Sequence, residues 1–390
     1  MRKAKLVVTF EQAPSYEVRI GPGVLANLGA DIQRAVLHRS SDFDNAGNAT
    51  EIGGEGAGAA VGTNRGAAAH VSEATASAAD TRVLLLADVA VEKTVTAQAK
   101  AALAAVGYRP LVVNVSPDEA LETAGELWRA LAQAHLSDAS VVVAVGDAPL
   151  LQLAGFVATA YSGGLSCAYV PTTLAAAVAM SVSDWATLDI AGTRGLVNAE
   201  MHPLFSCIDL DVLAMADSEA WLDGFAGCAQ AAFLDSDEFF FWLSDNASAL
   251  RNRSAEALCE ALVRTLGFRS QLSSRVEQGD VRALACLSYG RDFSDATGAS
   301  LAQGMRFSAL LSHFKGMILE DIVQAQDALL ASLGFVQKET LSVEGALEGL
   351  LSFAGRCDGA ELMLPVDIGC CERVFVPADE LRSCLEALSA

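Results

Sequence analysis

Apolar residues fall in short, nearly continuous runs over the first half of the chain and in helical spacing over the second. Residues 5–10 and 16–20 read as two strands joined by a turn at Ala13-Pro14-Ser15, and a helix is predicted over 23–35. From 40 to 80 the pattern stops. Gly, Ala, Ser, Asn and Thr dominate there, too little apolar surface to offset the entropy of ordering, so a flexible insertion is expected. The pattern resumes with a buried strand over 82–88, a helix over 91–106, a strand over 111–115, a helix over 121–135 and a strand over 140–145.

Alternating strands and helices with unbroken apolar strands predict a parallel, doubly wound, Rossmann-like α/β sheet. Ligands of such sheets bind at the strands' carboxyl ends, here at Asp88, Pro117 and Gly146. After about Val212 the period becomes helical, clearest over 219–234, 255–277 and 304–333, with a short apolar segment at 362–365 and a closing helix over 379–388. Two domains are expected: residues 1–212, carrying the insertion, and a mostly helical 213–390.

Composition narrows the function classes. With 26 Lys+Arg against 48 Asp+Glu the net charge is −22, which argues against nucleic acid or an anionic membrane as partner. Residues 150–182 carry no charge but are broken at Tyr161-Ser162-Gly163-Gly164 and Val170-Pro171-Thr172-Thr173, leaving no stretch of the ~20 residues a membrane span needs. The first residues read as a strand rather than a secretory leader. With nine cysteines lacking paired C-x-x-C spacing, they point to a reduced, cytoplasmic protein.

Five words carry a family signal in order: Leu153-Ala154-Gly155-Phe156, Tyr169-Val170-Pro171-Thr172-Thr173-Leu174, Gly224-Phe225-Ala226, Glu238-Phe239-Phe240 with Trp242-Leu243, and Leu287-Ser288-Tyr289-Gly290. Together they resemble the 3-dehydroquinate synthase family of sugar-phosphate cyclases over nearly the whole chain outside the insertion. The resemblance implies a Rossmann-like domain followed by a helical metal and substrate domain. It also implies NAD-assisted, zinc-dependent conversion of a seven-carbon sugar phosphate into a carbocycle with loss of phosphate, and a homodimer.

Within that resemblance the residues depart from the family's chemistry. The nucleotide loop, a glycine triplet in the family, reads Gly146-Asp147-Ala148, then Pro149, and the acid that follows it is Gln152. Asp147 sets a negative charge where a pyrophosphate would lie, and Pro149 offers no amide. Asp88 matches an acid at the adenosine end or is an ordinary acid at a turn. The hydroxyls of Thr172 and Thr173 suit a ribose or phosphate, and equally the cap of a helix starting at Leu174. The segment Pro117-Asp118-Glu119-Ala120 lacks the family's lysine.

Where the family places a catalytic acid, lysine and asparagine, the chain has Ala179, Trp185 and Asp189. Arg194, Arg269 and Arg282 remain as cations near family basic positions. The zinc positions, one Glu and two His in the family, fall on Gly227, Arg291 and Gln303, and a neighbouring family histidine on Asp295. Glycine offers no ligand, and a guanidinium repels a cation. Neither H-E-x-x-H, G-x-S-x-G nor a phosphate-binding P-loop occurs.

The expectation is therefore a degenerate, inactive homologue without bound zinc or NAD. Its role would be binding or regulation, with a small molecule or a protein of shikimate metabolism as partner. A diverged enzyme and a retained cyclase are the alternatives. Arg291 is expected to fill the vacated metal space, paired with Asp292, Asp295 or Asp189.

Overall fold

The structure, a computed structural model, describes residues 4–8, 16–47, 82–89, 91, 93–117, 120–137, 139–190, 193–280, 282–291, 298–336, 343–354 and 357–389. Strands β1 (Ala4–Val8) and β2 (Tyr16–Gly21) pair antiparallel, with Leu6 opposite Val18. A 3-10 turn, Val24–Asn27, leads into α1 (Leu28–Gly47). This helix corrects the predicted start of the insertion, since residues 40–47 are helical. Short polar residues depress helix propensity without forbidding a helix that has already nucleated upstream. The rest of the predicted insertion lies outside the described residues.

There follow β3 (Val83–Asp88), α2 (Lys93–Ala105), β4 (Leu111–Val115), α3 (Ala120–Gln133), β5 (Val141–Gly146), α4 (Ala148–Ala160), β6 (Ser166–Pro171) and α5 (Leu174–Met180). The hairpin β7 (Trp185–Ile190) and β8 (Thr193–Glu200), then β9 (Phe205–Asp209) and the single turn α6 (Leu210–Leu213), precede the helical half. That half holds α7 (Ser218–Asp235), α8 (Asp237–Arg251), α9 (Ala255–Glu277), a 3-10 segment (Ala283–Ser288), α10 (Gly298–Phe314), α11 (Glu320–Leu333) and α12 (Val343–Ala354). Strands β10 (Gly359–Asp367) and β11 (Cys370–Pro377) and helix α13 (Ala378–Ser389) end the chain. The predicted run over 304–333 is two helices, because the link between α10 and α11 passes through Gly316 at φ 70°.

The larger sheet has the strand order β1-β2-β9-β6-β5-β3-β4, and β3 pairs in parallel with both β4 and β5. Every residue of β3 and β5 is buried, as strands covered on both faces must be, whereas β4 at the end of the order is half-exposed. The fold is thus the doubly wound α/β arrangement the pattern predicts, followed by a mostly helical part.

By compactness the chain forms two units, one of residues 24–170 and 185–207, the other of 1–23, 171–184 and 208–390. In the first, Trp128 Nε1 donates to the Val157 carbonyl at 3.1 Å and ties α3 to α4. Gly155 lets α4 lie against the buried Tyr169 of β6, whose hydroxyl a Cβ would overlap. In the second, α7 is the central helix and packs on α5, α8, α9 and α10. Its Phe225 and Phe233 join Phe239, Phe240 and Tyr289 in a core with no solvent contact to speak of. A smaller core, with Leu311, Leu350, Leu362, Val376 and Leu385, joins α10, α12, the β10–β11 hairpin and α13. Side-chain caps start the helices: Asp217 for α7, Ser236 for α8 and Ser254 for α9. Among the described residues no helix is long and apolar enough to cross a membrane.

All nine cysteines are free thiols, of which Cys167, Cys207, Cys228, Cys259 and Cys384 are buried and Cys357 and Cys370 exposed. Burial pushes Cys228 up to about 11 and Cys384 to about 12, so neither holds a thiolate near neutrality. Iodoacetamide at pH 8 is therefore expected to modify Cys357 and Cys370 while sparing the five buried thiols until denaturant is added. Peptide mass spectrometry showing Cys228 modified in native protein would contradict this packing.

Candidate functional site

At the turn after β5, Gly146 is required by space, since a Cβ would press on Leu150 and on the Asp88 side chain. The next residue closes the helix start from within. Asp147 is the N-cap of α4, its carboxylate accepting the Ala148 N–H at 2.7 Å, and Pro149 sits in the first turn. The amides and partial positive charge that would face a pyrophosphate are thus engaged by a protein carboxylate or absent. Gln152, at the family's acid position, accepts the Thr187 N–H at 2.6 Å and fastens the β7–β8 hairpin to α4. Asp88 is buried at the end of β3. Thr173 caps α5 through its hydroxyl, which accepts the Ala176 N–H at 3.2 Å, and Thr172 beside it is half-buried. These residues do not fit an NAD pyrophosphate: the cap would have to break first.

In the second unit the backbone brings the three aligned metal positions onto neighbouring segments. A Cβ on Gly304 would overlap the Gly290 carbonyl, so residues 290–291 and 303–304 meet backbone to backbone. Gln230 of α7 donates to the carbonyls of Leu287 and Tyr289 at 3.0 and 2.6 Å, anchoring the same segment to the helix that carries Gly227. Tyr289 is fully buried and hydrogen-bonds Gln326. Gly227 itself faces Val178, whose Cγ1 lies 2.9 Å from where a Cβ would stand. The scaffold persists, but Gly227, Arg291 and Gln303 do not fit zinc, and among the described residues no three His, Cys, Asp or Glu side chains gather as a metal set.

What gathers instead is a polar cluster around Arg269 of α9. Its Nη2 reaches the Ala179 carbonyl at 3.5 Å, and its Nε is buried with no hydrogen-bond partner. The Ser181 hydroxyl is likewise buried without a partner, and the Tyr16 hydroxyl and one Asp184 oxygen are buried too. The Arg269 guanidinium is lowered to about 10, first by lost hydration and then by the charge of Arg291. Asp184, Tyr16 and Cys286 act in the opposite direction. Burial, reinforced by the Asp184 charge, pushes the Tyr16 phenol well up, so it stays protonated.

Arg291 reaches solvent, yet its guanidinium is also lowered by lost hydration. It makes no ion pair with a described residue of its own unit, and Asp189 belongs to the other unit. That carboxylate accepts the Gly195 N–H at 2.7 Å. Asp292 and Asp295, the other expected partners, lie outside the described residues.

The sign of the Arg269 shift has a consequence. A base lowered in the folded state holds its proton less well than in the unfolded chain. Its charge therefore detracts from stability at neutral pH, and the deficit disappears only as pH rises through about 10 towards 12.5. At neutral pH a bound anion would remove the same deficit. Of the cations retained in sequence, only Arg269 belongs to this cluster. Arg282 is exposed, with its backbone N–H held by Asp280, and the Arg194 side chain lies outside the described residues. Sequence reasoning missed Tyr16 altogether, because a tyrosine in an apolar strand carries no chemical signal. Asp184, an acid beside Trp185, was not singled out either, since it has no partner in sequence.

The Gly290–Gly304 approach gives a direct test. Gly304→Ala is expected to destabilise by about 3 kcal/mol, because backbone rather than a side chain must shift. Urea unfolding measures it, and a loss under roughly 1 kcal/mol, the scale of an ordinary substitution, would show that the segments do not touch as described.

The family model for the N-terminal part of 3-dehydroquinate synthase matches residues 112–223. The 3-dehydroquinate synthase of Caulobacter vibrioides is 28% identical over 314 residues, covering 74% of this chain and 82% of that protein. That of Rhodopirellula baltica is 26% identical over 266 residues, 65% and 71% of the two chains. Among solved structures, a 2-deoxy-scyllo-inosose synthase superposes at a TM-score of 0.78 with 14% identity over 98% of this chain and 100% of its own. A 2-epi-5-epi-valiolone synthase from Streptomyces hygroscopicus superposes at 0.71 with 19% identity over 79% and 91%. The motif words, the matched model, the named relatives and the shared fold point the same way: the chain is similar to the 3-dehydroquinate synthases and shares the fold of sugar-phosphate cyclases.

Proposed function

We propose that this chain is a catalytically silent member of its family that binds a small organic anion in the cluster around Arg269 and acts through that binding, as a regulator or assembly partner. The observation that carries the reading is Arg291. It stands, exposed, where the resemblance puts a zinc-ligating histidine, and its charge falls on Arg269, whose Nε is buried without a hydrogen-bond partner. Two guanidiniums whose charges act on each other, one of them with a buried Nε lacking a hydrogen-bond partner, suit an anion and oppose a divalent cation. The capped helix at Asp147 supports a protein that does not rely on NAD. Shikimate metabolism is the natural setting for such a binder, since the named relatives are 3-dehydroquinate synthases.

Those names also favour a second reading, a retained cyclase, and one preparation decides between the two. The silent reading expects less than about 0.1 zinc per chain by elemental analysis, against the one zinc of a catalytic site, and no phosphate release from the family's heptulosonate phosphate. Near-stoichiometric zinc with phosphate release would overturn it. Writing Glu and two His back at Gly227, Arg291 and Gln303 is expected not to restore turnover, because Trp185 and Asp147 remain and a side chain at 227 must displace Val178.

Anion binding itself is read by melting temperature. A ligand at a hundredfold excess over its Kd adds about 2.7 kcal/mol, which for a chain of this size is a rise of about 3 °C. The rise is expected with inorganic phosphate or a simple carboxylate and should vanish in Arg269→Met and Arg291→Met. No rise with either anion would remove the reading.

Homodimerisation belongs to the same proposal, supported by the large apolar side chains Trp185, Leu196 and Val197 exposed on the β7–β8 hairpin. Light scattering at micromolar concentration is expected to give twice the chain mass, and a monomer mass would withdraw it.

A further inference from the structure

The β7–β8 hairpin has an open edge. β8 pairs with β7 on one side, and among the described residues no strand lies on its other side. An unpaired edge offers a row of backbone donors and acceptors to a further strand. Other outer strands carry the devices that blunt such edges. β4 is five residues long and starts directly after Pro110, and β11 has Glu372 and Arg373 exposed at its centre. The centre of β8, Gly195-Leu196-Val197-Asn198-Ala199, is uncharged, and Leu196 and Val197 are exposed.

The hairpin itself fixes which backbone groups that edge presents. The Thr187 N–H is taken by Gln152 of α4, so Thr187 turns its backbone groups away from β8. In an antiparallel ladder the residue opposite turns away likewise. That residue is Asn198, so Leu196, Asn198 and Glu200 point their N–H and C=O outward, while Val197 and Ala199 point theirs to β7. If β8 pairs antiparallel with itself, outward residues must oppose outward residues, and the two-fold must pass through a residue rather than between two. Centring on Val197 sets Leu196 opposite Asn198, Gly195 opposite Ala199 and Arg194 opposite Glu200, an opposite-charge pair at each end. Centring on Leu196 leaves Glu200 beyond the end of the partner strand, and centring on Asn198 sets it opposite Leu196.

Resting on the homodimer reading above, we infer that β8 docks on β8 of a second copy, antiparallel and centred on Val197, joining the two hairpins into one continuous sheet. The contact is self-complementary about a two-fold, as a closed dimer requires. It pairs the open edge, covers Leu196 and Val197, and gives each two-stranded hairpin the further strands that make such a sheet stable.

Cysteine cross-linking on the full chain reads the register, in a background with the exposed thiols removed by Cys357→Ser and Cys370→Ser. Directly opposed residues of a non-hydrogen-bonded pair lie about 4.5 Å apart at Cα, within disulfide reach. Val197→Cys treated with oxidised glutathione is therefore expected to run at twice the chain mass on non-reducing gels. Leu196→Cys meets its own copy only on the diagonal, about 7–8 Å away, and is expected to stay at chain mass. Charge reversal gives an independent reading. Glu200→Arg sets cation against cation at both ends and is expected to weaken the dimer about tenfold by sedimentation, with Arg194→Glu added to it restoring the wild-type value. A wild-type dimer in which Val197→Cys cross-links no better than Leu196→Cys overturns the inference and leaves the homodimer reading standing. A Glu200→Arg dimer as tight as wild type, or a double variant no tighter than the single, does the same. A monomer mass for wild type removes both. Circular dichroism and melting temperature matching wild type verify that each variant is folded.

Discussion

How closely other segments can approach α7 governs everything built around Arg269. Small residues remove the side-chain layer at each crossing. A Cβ on Gly224 would overlap Leu174 at the start of α5, and one on Gly298 would overlap the Asp223 backbone at the start of α10. Gln230, buried on the same helix, replaces the missing apolar contact with two hydrogen bonds to the 287–289 carbonyls. Buried carbonyls need such donors. With the two segments fixed this way, Arg291 follows Gly290, whose φ of 75° leaves the chain no alternative residue without strain. The position of the cation is thus set by packing that has nothing to do with charge.

That independence explains how a family scaffold carries unfamiliar side chains. The contacts that align residues 227, 291 and 303 are backbone-to-backbone or run through Gln230 and Tyr289. In a small metal-nucleated domain the fold would fail without its ligands. Here the helical core of Phe225, Phe233, Phe239 and Phe240 supplies the stability.

Much of this was legible in the sequence, and the parts that were not fail for identifiable reasons. The parallel strands announced themselves because β3 and β5 are buried on both faces and their apolar runs are unbroken. The β7–β8 hairpin was not read, because its residues alternate weakly and β8 is largely exposed. β11 escaped for the same reason, with most of its residues facing water. Thr173 as a cap followed from local chemistry. The cluster did not, since Tyr16, Asp184 and Arg269 come from three distant stretches whose meeting depends on β2 and α5 both packing against α9. Residues that meet only through tertiary structure leave no spacing to detect.

Two carboxylates carry the chemical difference between this chain and what its motifs imply, and they work alike. Asp147 satisfies the start of α4, and Asp184 answers Arg269. Each puts a protein anion against a positive feature that a ligand anion would otherwise meet. Their effects differ in degree. The α4 N-terminus offers about half a unit of positive charge, which one carboxylate can fully offset. Around Arg269 the charges of Arg291 and Asp184 act in opposite directions. The first feature is met by its own cap, while at the second the Arg269 Nε remains buried without a hydrogen-bond partner.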